Sequence, residues 1–219
     1  GKTGSFEVTA WTDDELVENP NRRGFIQVTP SGRAWQYADG TPFYMLADTW
    51  WGAPTWRYPY TNEEVPREYV PDSTNFSFEG GIQWLKKLGF NSIGIITALP
   101  NWADNGGKNL YDEKGILIRS GKTPHDGVCM TMHSDGGHRA FHMIESNGKE
   151  SVCPDYSRLN PAYFKDLDIK MAYLDKQGFV PYVETVRRDV GPAWEAYNDW
   201  PRSFSRYINY IAARYGSYN

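Results

Sequence analysis

The sequence has little sulfur, little histidine and no excess of positive charge. Its two cysteines, Cys129 and Cys153, permit at most one intrachain disulfide. Lysine and arginine total 23 against 27 aspartates and glutamates, a formal net charge of -4. That balance offers no electrostatic footprint for nucleic acid or an anionic membrane surface, so neither is expected as a partner. No run approaches the roughly 18 apolar residues that a membrane span needs, and residues 1–20 lack a signal peptide's apolar stretch. The chain reads as soluble, with any export signal already removed.

What it has in quantity is aromatic side chains, 16% of the residues, with nine Trp and fifteen Tyr. Many fall among Pro, Gly, Asn and Asp rather than in periodic runs, which places them on loops. Rings on loops make flat amphipathic platforms suited to the C–H faces of sugars. Others fill the space beneath those loops.

The stretch that organises the chain is Phe43-Tyr44-Met45-Leu46-Ala47-Asp48-Thr49-Trp50-Trp51-Gly52. An apolar run suited to a buried strand ends in a carboxylate, a hydroxyl and two adjacent indoles, and Gly52 and Pro54 then break it. In α/β barrels, binding and reacting groups sit where parallel strands end, so Asp48, Trp50 and Trp51 are expected to line a site. The bland alternative is that Asp48 caps a turn and the indoles pack against a loop.

Residues 5–11 alternate like a strand, and the charged run from Asp13 to Arg23 reads as a linker. Residues 1–24 are therefore expected to be the tail of an upstream β domain, with 25–219 forming the main domain. Phe25 to Thr29 and Ala34 to Ala38 make a hairpin, joined by Pro30-Ser31-Gly32-Arg33, which is placed to plug the bottom of a barrel. A helix is predicted over 78–88, with Phe78, Ile82, Leu85 and Leu88 on one face and Gly89 as its stop. The strand 91–98 follows at once, the signature of a parallel strand–helix–strand unit.

No sustained period appears over 99–160, a stretch that holds all four histidines and both cysteines. An insertion of that length in a compact domain is usually functional or disordered. A second helix follows over 161–177, with Asn160 as its cap, Pro161 in its first turn and Gly178 as its stop. The third strand, 180–186, again ends in polar groups: Glu184, Arg187, Arg188 and Asp189. A third helix spans 201–215. Three strand–helix units cannot close a barrel of eight, so the pattern predicts the N-terminal portion of a (β/α)8 barrel, its remainder a second chain or a missing segment.

Gly24-Phe25 through Gly32-Arg33, Tyr37-Ala38-Asp39-Gly40-Thr41-Pro42-Phe43, Leu46-Ala47-Asp48-Thr49-Trp50-Trp51 and Leu88-Gly89-Phe90-Asn91-Ser92-Ile93 together resemble the start of the apiosidase-like glycoside hydrolases. The resemblance covers 24–98 by sequence and 160–219 by pattern. It implies a glycosidase with two carboxylic acids flanking the scissile bond, one protonating the leaving oxygen and the other attacking or activating water. It also implies that those acids stand at the ends of strand four and of a late strand, beyond Asn219, so no catalytic residue is assigned within the chain.

Asp48, Trp50, Trp51, Trp102, Glu184 and Arg187 remain as candidates for substrate binding. The partner expected is a carbohydrate, a complex plant or algal polysaccharide, met in a secreted or periplasmic setting and cleaved without a cofactor. Two alternatives stay open. One is a non-catalytic carbohydrate-binding protein. The other is a metal-dependent barrel hydrolase using His133, His138 and His142, although Gly136-Gly137 argues for a turn there and no familiar zinc spacing is present. Cys129 and Cys153, if oxidised, would close a loop of about 25 residues and stabilise it by roughly 3 kcal/mol on the chain-entropy view.

Overall fold

The computed structural model describes residues 3–5, 7–56, 58–61, 77–98, 110–111, 117–119, 133–146, 149–185, 199 and 201–219. Its centre is a three-stranded parallel sheet formed by β4 (Ala47–Thr49), β5 (Ser92–Ile96) and β10 (Val180–Glu184), with β5 in the middle. Ala47 pairs with Ser92, and Ser92 in turn with Val180, so all three strands start level. Spatial order follows chain order. A sheet wound in one direction has this arrangement, whereas a doubly wound sheet reverses.

Three helices cover one face of the sheet: α2 (Phe78–Lys87), α3 (Pro161–Lys176) and α4 (Arg202–Tyr215). The bounds expected from apolar spacing hold to within one or two residues. Ser77 caps α2 by accepting from the Gly80 amide, and Asn160 caps α3 by accepting from the Ala162 amide. Phe78, Ile82 and Leu85 of α2, Phe164, Leu167, Met171 and Leu174 of α3, and Tyr207, Ile211 and Tyr215 of α4 meet Ile93 and Ile95 of β5 in one core. Each such side chain, fully buried, contributes about 1.5–3 kcal/mol of transfer free energy. Aromatic edges join the helices: Phe164 meets Tyr210 with centroids 5.0 Å apart, and Phe78 meets Tyr173 at 6.3 Å.

The hairpin expected before the organising stretch is present and gains a third strand. β1 (Ile26–Val28), β2 (Trp35–Tyr37) and β3 (Pro42–Phe43) form an antiparallel meander. Tyr37 and Phe43 pack edge to face, centroids 5.4 Å apart, and cluster with Val180, the first residue of β10. The meander thus closes the amino-terminal end of the parallel sheet, where the sequence placed its plug.

Three expectations are corrected. The run from Phe43 to Asp48 is not one buried strand. Phe43 ends β3, while Tyr44, Met45 and Leu46 are exposed, 81%, 41% and 38% respectively, before β4 begins at Ala47. Asn91 holds the crossing, its side chain accepting from the Leu46 amide at 2.8 Å and donating to the Tyr44 carbonyl at 2.7 Å.

The alternation read over 5–11 makes no strand among its described residues. The charged run after it is not an open linker: it begins with the short helix α1 (Asp13–Glu18), started by a Thr12–Glu15 capping box. It then docks, Asn19 donating to the Asp175 carbonyl at 2.8 Å and Asn21 to the Phe179 carbonyl at 3.1 Å. Side chains of the run read as a linker thus satisfy backbone carbonyls at the end of α3 and just beyond it.

The stretch 99–160 also contains regular structure that its lack of apolar period hid. β6 (Leu110–Tyr111) pairs with β7 (Leu117–Arg119), and β8 (Phe141–Ser146) pairs antiparallel with β9 (Lys149–Leu159). The β8–β9 register shifts twice, which breaks the two-residue alternation by which a strand is recognised.

Candidate functional site

The carboxyl ends of β4, β5 and β10 lie together, and their register decides which side chains share a face. Asp48 pairs with Ile93, and Trp50 continues the ladder by donating its amide to the Gly94 carbonyl at 2.8 Å. Ile93 and Ile95 belong to the helix-side core, so alternation puts Asp48 and Trp50 on the helix-covered face. Thr49 goes to the opposite face, with Gly94 and Ile96 of β5 and Tyr182 and Glu184 of β10, and Trp51 follows in the turn that leaves β4.

The two adjacent tryptophans therefore separate. Trp50 is 5% exposed and stacks on Tyr58 at 5.0 Å with an interplanar angle of 20°. Its indole nitrogen donates to Asp48 Oδ2 at 2.9 Å, and Asp48 Oδ1 accepts from the Thr49 amide at 2.8 Å. Trp51 is 48% exposed. The structure thus buries Trp50 beside Asp48 on the helix-covered face, leaves Trp51 exposed after the end of β4, and sets Glu184 at the end of β10 on the opposite face. Trp102 and Arg187 lie outside the described residues.

Tyr182, 56% exposed, belongs with Glu184 and was not singled out in the sequence. Gly94 beside it carries no side chain, and a Cβ there would lie 3.7 Å from the Tyr182 ring. Two aromatic surfaces and a carboxylate on one polar-edged rim can stack on sugar rings and accept their hydroxyl protons. The available signal was Tyr182 alternating with the core-facing Val183.

Glu184 is anchored through its backbone. Its carbonyl accepts from the Thr97 amide at 2.9 Å and the Thr97 hydroxyl at 3.2 Å. Thr97 Oγ1 also lies 2.8 Å from the Tyr207 hydroxyl, which donates to the Thr185 carbonyl. Burial pushes the Tyr207 phenol far above the ordinary tyrosine range, so it remains a neutral donor. This node fixes the end of β10 against the end of β5.

Among the described residues, His133, His138 and His142 do not form a ligand set. His133 Nε2 accepts from Arg139 Nε at 3.3 Å, and His138 and His142 are exposed. Among the described residues no three His, Cys, Asp or Glu side chains converge. Cys129 lies outside the described residues, and with it the pairing with Cys153. The turn around His133 is instead held by a buried cation: Lys170 of α3, 1% exposed, donates to Asp135 Oδ1 at 2.8 Å and to the Ala53 and Thr55 carbonyls at 3.0 and 3.3 Å. Burial pushes the Asp135 carboxyl above the ordinary carboxylate range, and Lys170 pulls it back only in part.

The parallel β/α sheet in chain order, with helices on one face, is similar in fold to solved glycoside hydrolases. A glycoside hydrolase from Bacteroides vulgatus superposes with a TM-score of 0.50 at 19% identity, over 89% of this chain and 30% of that one. A family 5 glycoside hydrolase from the same species (TM-score 0.48, 15% identity) and a further glycoside hydrolase (0.48, 18%) are each matched over 90% of this chain, and over 31% and 32% of theirs. The chain thus spans about a third of the length of these structures. The family model of the apiosidase-like catalytic domain matches residues 29–219, and the chain belongs to that family. No curated protein matches the sequence.

Proposed function

We propose that this glycoside hydrolase-like domain forms the early part of a barrel glycosidase that cleaves a complex plant or algal polysaccharide, and that its rim holds the glycan. The observation that carries this reading is that Tyr182 and Glu184 share the open face of the parallel sheet and Trp51 is exposed just after the carboxyl end of β4, within a chain that belongs to the apiosidase-like family. Hydrolysis proceeds by a carboxylic acid pair, one acid protonating the leaving oxygen. Asp48 and Glu184 stand on opposite faces of the sheet and do not flank one bond, so we assign the pair to strands that complete the barrel. Glu184 accepts hydrogen bonds from substrate hydroxyls, and the indole of Trp51 stacks on a sugar face. Polysaccharides of this kind are met outside the cytoplasm, and a secreted or periplasmic setting is part of the proposal.

The same separation of Asp48 from Glu184 favours a second reading, a non-catalytic carbohydrate-binding protein that uses the rim alone. One assay separates the two. The complete protein, with the strands that finish the barrel, is incubated with a panel of plant and algal polysaccharides, new reducing ends are measured, and retention is followed in parallel by affinity electrophoresis. Cleavage supports the glycosidase. Retardation without cleavage, lost in Trp51→Ala, supports the binding protein, and neither response across the panel overturns both.

A further inference from the structure

Lys170 is the one basic residue in the apolar stripe of α3, which otherwise presents Tyr163, Phe164, Leu167, Met171 and Leu174 to the core. Burying an ammonium there is costly unless it is paired and hydrogen-bonded. The three oxygen partners described for it come from two separate loops. The Ala53 and Thr55 carbonyls belong to the segment that leaves β4, and Asp135 belongs to the turn that precedes β8. Phe78, the first residue of α2, lies beneath the ammonium with its ring centroid 5.6 Å away.

Both loops are tied again around this point. Asp135 Oδ2 accepts from the Tyr60 amide at 2.8 Å, and the His133 carbonyl accepts from the Trp56 amide at 2.9 Å. One turn earlier on α3, Asp166 accepts from the Ser134 hydroxyl and from the Gly136 amide, the latter at 3.1 Å. Asp166 and Lys170 are four residues apart and so share a helix face, one holding the 134–136 turn and the other bridging it to 53–60. The bridge reaches Trp51 in two steps, one hydrogen-bonded and one covalent. Thr55, fully buried, donates its amide and hydroxyl to the Gly52 carbonyl at 2.9 and 2.7 Å, and Gly52 follows Trp51.

We propose that Lys170 and Asp135 are positioning residues for the glycan rim: by joining the 133–140 turn to the loop leaving β4, they set the place of the exposed Trp51 indole just after the end of β4. The proposal rests on the rim reading above, but its mechanical part stands apart from any ligand. It gives the histidine-bearing segment a task, which is to supply Asp135 and hold the first loop. The strands β5 and β10 are not joined by this bridge and do not depend on it.

Hydrogen–deuterium exchange of the protein, followed by mass spectrometry, tests it. The double variant Lys170→Met with Asp135→Leu replaces the ion pair by apolar groups and keeps the core filled. Peptides covering 53–60 and 133–140 are expected to exchange at least tenfold faster, with β5 and β10 at parental rates. Parental rates in both loops, or uniform acceleration of every peptide, would overturn the proposal, the second because it marks a role in global stability alone. Asp166→Asn, at a partly exposed site, covers the case in which the double variant does not fold. It is expected to accelerate 133–140 while 53–60 stays protected, and equal acceleration of both loops counts against Lys170 as the bridge. Affinity electrophoresis against the polysaccharide that binds the parental protein then reads the rim: weakened retention in the double variant is expected, and unchanged retention with freed loops overturns the link to Trp51. If the parental protein binds no polysaccharide, the rim reading itself fails while the exchange pattern still decides the bridge.

Discussion

The indole nitrogen of Trp50 donates to the carboxylate of Asp48 two residues earlier, at 2.9 Å, and the bond holds the ring in the helix-side core while Trp51 stays 48% exposed. Neighbours in sequence thereby take up different tasks. One belongs to the core and the other to the surface where a glycan would lie.

The two indoles should respond in opposite ways to truncation. Trp50→Ala removes a ring stacked on Tyr58 and packed edge-on against Phe78 at 6.1 Å, and is expected to cost about 3–5 kcal/mol in urea unfolding. Trp51→Ala should stay within about 1 kcal/mol of the parent and weaken carbohydrate retention. An equal loss of stability in both variants would remove the division between them.

Breaking the buried pair on one side should be worse than removing it altogether. Asp135→Asn leaves the Lys170 ammonium enclosed without a counter-ion and is expected to destabilise by about 3–5 kcal/mol, whereas the apolar double variant should lie near the parent. A urea series on the two proteins checks the order. If the double variant unfolds earlier than Asp135→Asn, the ionic attraction outweighs the cost of burial.

The pH dependence of the same group has a definite sign. Because burial raises the folded-state pKa of Asp135 above its unfolded value, its titration favours the folded state fully below the ordinary carboxylate pKa. That contribution is lost as pH rises through the raised value. The stability difference between the parent and Asp135→Asn should therefore shift toward the parent on acidification through this window, read from urea midpoints at successive pH values. A flat difference would show that the carboxyl titrates alike in both states.

Tyr207→Phe deletes a hydroxyl that lies 2.8 Å from Thr97 Oγ1 and donates to the Thr185 carbonyl. Losing it leaves the part-buried Thr185 carbonyl with only the longer bond from the Thr97 hydroxyl, at 3.3 Å, and should cost about 1 kcal/mol. In the parent, ultraviolet titration should find this phenol silent well past the ordinary tyrosine pKa, ionising only with alkaline unfolding, since burial raises it strongly.

Gly178 tests the docking of the amino-terminal segment. It sits at φ 75°, and an added Cβ would lie 2.7 Å from Pro20 Cδ. Gly178→Ala combines left-handed strain with that collision and should cost more than about 1 kcal/mol. Removing residues 1–23 should relieve the collision but leave the strain, so the penalty ought to fall without vanishing.

The sequence by itself determined the three helices and the parallel strands, because their apolar spacing, caps and glycine stops act over a few residues. Asn160 before Pro161, and Gly89 and Gly178 after the last apolar turns, set α2 and α3 almost to the residue. The motifs at 24–51 and 88–93 also carried the apiosidase-like family. What only the tertiary structure decided was the face each rim residue takes. Asp48, Trp50 and Trp51 look like one cluster in sequence, and the pairing of Asp48 with Ile93 divides them, since strand alternation acquires a direction only when a neighbour is in register. Lys170 was hidden for the same reason: a single lysine in an apolar stripe becomes a structural centre only when loops from far along the chain bring it a carboxylate and two carbonyls.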